Sequence, residues 1–128
     1  MIQKDKFSLI RQAKSFNYAG RGIYVVLRTT PNAWIHLTIL AIVVVLGFFF
    51  HISRIEWMML VFVAGLVLAA EAFNTAIDID IELTSHDYHP YARDTKDVAA
   101  GAVLISAITA AIIGLIIFVP HILAMVGM

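Results

Sequence analysis

VAAGAVLISAITAAIIGLIIFV, residues 98–119, is a run of 22 residues without a formal charge. As a helix it extends about 33 Å, enough to cross the hydrocarbon layer of a bilayer. Toward the N-terminus, residues 33–50 contain no acid, lysine or arginine. Residues 57–70 are again apolar, and helical apolar spacing continues through Phe73, Ile77 and Ile81. The pattern predicts an all-α membrane protein with three spans, at about 33–52, 57–82 and 96–119. Segment 51–56 reads as a surface turn, and Pro120 as the far end of the third span, because proline removes a backbone donor.

The composition agrees with this reading. Of 128 residues, 61% are hydrophobic and 14% charged, with a mean hydropathy of +0.88. That leaves too little polar surface to cover a soluble domain and argues against a disordered chain. Nine Lys and Arg against nine Asp and Glu give no basic field for nucleic acid. The absence of cysteine excludes disulfides and thiolate metal sites. The length suits a single domain over 1–128, and so small an interior makes self-association a natural way to build a site.

Residues 1–32 carry Lys4, Lys6, Arg11, Lys14, Arg21 and Arg28 against the single acid Asp5. The positive-inside rule therefore predicts a cytoplasmic N-terminus, an external 51–56 turn, an internal 80–97 connection and an external C-terminus. With more than thirty residues before the first span, a cleaved signal peptide explains that span poorly. Phe7, Ile10, Lys14, Phe16 and Tyr18 predict an interfacial amphipathic helix over about 5–29. Gly20, Gly22 and the segment 29–32 suggest a bend before the first crossing.

The chemistry is concentrated in EAFNTAIDIDIEL, residues 71–83, where Glu71, Asn74, Thr75, Asp78 and Glu82 fall in one broad helical sector. Carboxylates facing hydrocarbon are costly, so they must be protonated, paired, enclosed by an oligomer or supplied with water and metal. A divalent cation would favour their ionised forms, and oxygen-only ligands suit Mg²⁺. The second segment, ARDTKDVAAGAVL at 92–104, places Arg93, Asp94, Lys96 and Asp97 on the same predicted side. Asp94 or Thr95 could cap the third helix, Asp97 could join the metal site, and Lys96 could neutralise phosphate. Together these groups suggest phosphoryl transfer, with Glu71, the deepest acid, as general base for a membrane alcohol. A polar row that only orients one helix against another is the simpler alternative.

These two segments, with SFNYAGRGI at 15–23 and NAWIHL at 32–37, resemble the small integral-membrane lipid kinase family of bacterial diacylglycerol kinase and undecaprenol kinase. The resemblance covers roughly residues 12–118 and rests on E-x-x-N-x-A-I-D followed by A-R-D-x-K-D-x-A-A-G-A-V. It implies a homotrimer in the bacterial cytoplasmic (inner) membrane, with active sites at the cytoplasmic surface. It also implies transfer of the γ-phosphate of MgATP to a lipid hydroxyl, without a P-loop. On that pattern Glu71, Asn74 and Asp97 are catalytic, as base, orienting residue and network member. Asp78 and Glu82 face metal and nucleotide, Lys96 and Asp97 support the phosphates, and Asn17, Tyr18 and Arg21 approach the nucleotide.

One departure stands out. The family places a metal-binding glutamate two residues before the asparagine of E-x-N-x-x-x-H, where this chain has Thr30 before Asn32 and His36. Asp80, Glu82 or Asp97 then compensates, or metal affinity is weaker. Asp78 also shortens a family glutamate by one methylene.

The remaining histidines read more simply. His86 and His89 belong to an interfacial turn rather than a zinc site, His36 is a hydrogen-bonding or packing residue, and His51 and His121 lie at the external ends. Small residues from Ala99 to Gly114 read as helix packing. Besides the lipid kinase, two other functions compete: a nonenzymatic three-span assembly subunit, and an ion or proton conduit. The second is opposed by the lack of an ionisable row through most of the first and third spans.

Overall fold

The computed structural model describes residues 8–128. It contains four helices: α1 (Leu9–Thr29), α2 (Pro31–Phe49), α3 (Arg54–Thr84) and α4 (Pro90–Met125). The last three are long and apolar enough to cross a membrane, so the chain is an integral membrane protein built as expected around three spans. Lys4, Asp5, Lys6 and Phe7 of the expected leader lie outside the described residues.

The helix bounds differ from the hydropathy bounds because caps, not apolarity, end helices. The Ser8 hydroxyl accepts from the Arg11 amide and opens α1, which runs unbroken through Gly20 and Gly22 instead of bending there. The break is confined to Thr30, extended at φ −118° and ψ 98°, because Pro31 disfavours a helical conformation at the residue before it. Trp34 Nε1 donates to the Leu27 carbonyl across the break at 2.6 Å.

α2 ends at Phe49 rather than at residue 52. His51 adopts a left-handed conformation at φ 51°, and the amides of Ile52 and His51 return to the carbonyls of Gly47 and Phe48. This is a Schellman closure, with Ile52 buried as its hydrophobic partner. A capping box then starts α3 at Arg54, before Trp57: Ser53 Oγ accepts from the Glu56 amide, and the Glu56 carboxylate accepts from the Ser53 amide.

α4 begins six residues before the expected 96, and Asp94 and Thr95 do not cap it. His89 does, its Nδ1 accepting from the Tyr91 amide with Pro90 in the first turn. Pro120 lies inside α4 and does not end it. Its fixed φ is helical, and the cost is one acceptor, the Ile116 carbonyl four residues earlier.

The most extensive packing is between α3 and α4, while α1 and α2 touch α3 over shorter stretches. A buried hydrophobic cluster lies at the α2–α3 turn, where Ile52, Leu60, Ile117 and Phe118 pack with Phe50 and Trp57. Glu56 reaches His121 there at 3.3 Å, joining the starts of α3 and the end of α4. Phe16, Ile42, Phe62 and Leu115 remain exposed, as hydrocarbon-facing or subunit-facing side chains would be.

Candidate active site

The site is built where α3 passes the α1–α2 break. Glu71 and Thr75 are one helical turn apart and both buried; Glu71 is only 1% exposed. Thr75 Oγ1 donates to the Glu71 carbonyl at 3.0 Å, which spends its single proton. The 2.7 Å contact between the Thr30 and Thr75 hydroxyls is therefore a bond donated by Thr30. The break between α1 and α2 is in this way tied to the turn of α3 that carries Glu71.

Among the described residues the Glu71 carboxylate has no hydrogen-bond partner at either oxygen. His36 Nε2 stands 3.3 Å from Oε2, close enough for an ion pair but not aligned as a hydrogen bond. The ring is adjacent, and the carboxylate lone pairs are uncommitted. Glu71 lines a groove of about 660 Å³ walled by Ile23, Val26 and Leu27 of α1, Leu37 of α2 and Leu68 and Ile79 of α3. A carboxylate enclosed by such walls can take a proton from a hydroxyl brought in on an apolar tail.

The other expected site residues lie on several surfaces. Asn74 is half-buried and lines a separate α3–α4 groove with Ala99, Ala102 and Ser106, so within one chain it does not open onto the groove of Glu71. Asp78 and Lys96 are half-buried, and Glu82 is exposed at the end of α3. Asp97 faces Arg93 at 3.8 Å, a loose and largely exposed pair that contributes little to stability. Asn17, Tyr18 and Arg21 are exposed on α1. Among the described residues no three His, Asp or Glu side chains converge, so one chain does not gather Asp78, Glu82 and Asp97 into a single ligand set.

Two features escaped the sequence reading. His36 is expected to hydrogen-bond or pack, and what the spacing does not indicate is its partner: its Nε2 stands 3.3 Å from the Glu71 carboxylate. The Thr30–Thr75 bond also had only weak signals: Thr75 on the face of Glu71, and Thr30 as an unexpected residue just before the first span.

The prokaryotic diacylglycerol kinase family matches residues 17–118. The chain is 41% identical over 121 residues to the undecaprenol kinase of Bacillus subtilis, covering 94% of this chain and 98% of that protein. It is 35% identical over 112 residues to the diacylglycerol kinase of Synechocystis sp., covering 87% of this chain and 64% of the relative. A diacylglycerol kinase of Helicobacter pylori is 26% identical over 109 residues, 80% of this chain and 85% of its own length.

Proposed function

The chain belongs to the prokaryotic diacylglycerol kinase family and is a lipid kinase, and from that premise we propose that it transfers the γ-phosphate of ATP to a membrane lipid alcohol at Glu71. One observation carries this reading: a carboxylate with two uncommitted oxygens, 1% exposed, at the wall of an apolar groove. A purely structural acid in such a place would have its oxygens satisfied. The family relationship disfavours the nonenzymatic alternative.

In this mechanism the lipid tail occupies the α1–α2–α3 groove and presents its hydroxyl to Glu71. The lipid O–H bond breaks as its oxygen bonds to the γ-phosphorus, and the bond from that phosphorus to the β,γ-bridging oxygen breaks in line. The proton goes to Glu71. Asn74 orients the reacting groups, and Asp97 supports the network from the start of α4. Lys96 neutralises phosphate charge, while Asn17, Tyr18 and Arg21 face the nucleotide from α1.

The donor chemistry fits Mg²⁺. Asp78 and Glu82 present oxygen ligands one helical turn apart at the polar end of α3, and this cation commonly takes one or two carboxylates with phosphate and water. It would neutralise charge on the phosphates.

Because Asn74 and Glu71 open onto different grooves, a complete site is supported best by a homotrimer in which neighbouring copies bring these surfaces together. The basic residues of α1 support a cytoplasmic active face at the bacterial inner membrane, with the C-terminus outside. Undecaprenol is the better supported acceptor, since the relative of that specificity matches over nearly its whole length; diacylglycerol is the competing one.

The decisive assay compares ATP-dependent phosphorylation of undecaprenol and diacylglycerol by the purified protein, with and without Mg²⁺. Mg²⁺-dependent transfer to either lipid supports the reading. Transfer to neither, by an intact oligomer, overturns it.

A further inference from the structure

Among the described residues, Glu71 and His36 are the only titratable side chains on the walls of two neighbouring cavities. Glu71 lines the α1–α2–α3 groove, and His36 lines a second cavity of about 260 Å³ between α2, α3 and α4. The rest of that second wall is aliphatic, including Val63, Ala64 and Val67 of α3 and Ala107 and Gly114 of α4. The two groups meet at 3.3 Å across the α2–α3 contact. An imidazole placed there only to fill space would be replaceable by leucine, yet its Nε2 stands 3.3 Å from the Glu71 carboxylate.

We propose that His36 is the positioning residue of the reaction: it donates from Nε2 to Oε2 of Glu71, fixes the orientation of the carboxylate, and leaves Oε1 to take the substrate proton. The inference rests on Glu71 being the base. The present separation needs only a small rotation of either side chain to become a hydrogen bond, and catalytic hydrogen bonds commonly align only when substrate is bound. A hydrogen bond to an ionised carboxylate in a dry, low-dielectric site is stronger than a neutral one, so its loss should be felt in turnover. The His36 proton stays on Nε2 throughout. Glu71 alone gains the proton lost by the lipid hydroxyl, and releases it to water after product leaves. Thr75 complements this from the backbone side, holding the Glu71 carbonyl while His36 holds the carboxylate.

The test is a double-mutant cycle with rescue. His36→Leu should lower kcat about 10- to 100-fold while KM for ATP and for lipid stays within about threefold, since a misdirected base affects chemistry more than binding. His36→Gln keeps an N–H donor and should recover a large part of that loss. In a Glu71→Gln background, His36→Leu should produce no further loss, because two residues acting as one unit are non-additive. His36→Ala should regain activity when imidazole is added, since the deleted ring leaves space continuous with the 260 Å³ cavity.

Thermal melting and ATP binding of each variant separate a folding defect from a catalytic one. An equal loss from His36→Leu in both backgrounds, or an unchanged kcat in a folded variant, overturns the role of His36. Full activity of Glu71→Gln instead overturns the base assignment, and inactivity of the unaltered protein toward every lipid alcohol overturns the kinase reading.

Discussion

Glu71 is held by its backbone and left free at its carboxylate. Its carbonyl is fixed by Thr75, whose hydroxyl is in turn fixed by Thr30. Glu71→Gln should reduce turnover about 10²- to 10⁴-fold, the range typical of a lost general base. ATP affinity, measured by equilibrium binding, should hardly change; near-normal turnover would remove Glu71 from the chemistry. Thr75→Val deletes both hydroxyl bonds and should cost about 1–3 kcal/mol of stability in a detergent melt. Thr30→Glu introduces the acid that the family resemblance implies at this position, and should lower the Mg²⁺ concentration for half-maximal activity several-fold. An unchanged Mg²⁺ response would place the metal elsewhere. Helical spacing made the face shared by Glu71, Thr75 and Asp78 legible in the sequence. The Thr30–Thr75 bond and the approach of His36 were not legible, because they join residues 45 and 35 positions apart through packing that periodicity does not encode.

At the scale of elements, apolar runs located three helices correctly but misplaced their ends. His51 shows why: a non-glycine residue at positive φ closes α2 at Phe49, three residues before the expected end at 52. His89 was equally opaque, since an imidazole is a less common cap than the Asp94 and Thr95 that follow it. Pro120 was overread as a terminator. The α2–α3 hairpin depends on Gly47: a Cβ there would lie 2.5 Å from the Trp57 ring. Gly47→Ala should therefore destabilise the hairpin by about 1–3 kcal/mol, as overpacking does, and a lowered melting temperature with changed tryptophan fluorescence would register it. No change in either would mean that Trp57 moves aside at no cost.

For the whole molecule, a cysteine-free chain makes orientation directly measurable. Gln12→Cys in α1 should react with an impermeant maleimide only from the cytoplasmic side, and Gly127→Cys only from the outside. The opposite pattern would reverse the assignment taken from the basic leader. Three spans were legible because lipid demands long uncharged helices, whereas the mutual placement of grooves was not. That placement matters to traffic through the site. Glu71 lies seven residues, or about 10 Å of helix, below Asp78. With Glu71 as the proposed base, an acceptor would have to sink its polar head to that depth, which a lone hydroxyl does cheaply and a large zwitterionic or glycosylated head does not. Once phosphorylated, the same head carries charge that hydrocarbon rejects, so the reaction itself drives its product back toward the water and clears the groove for the next turnover.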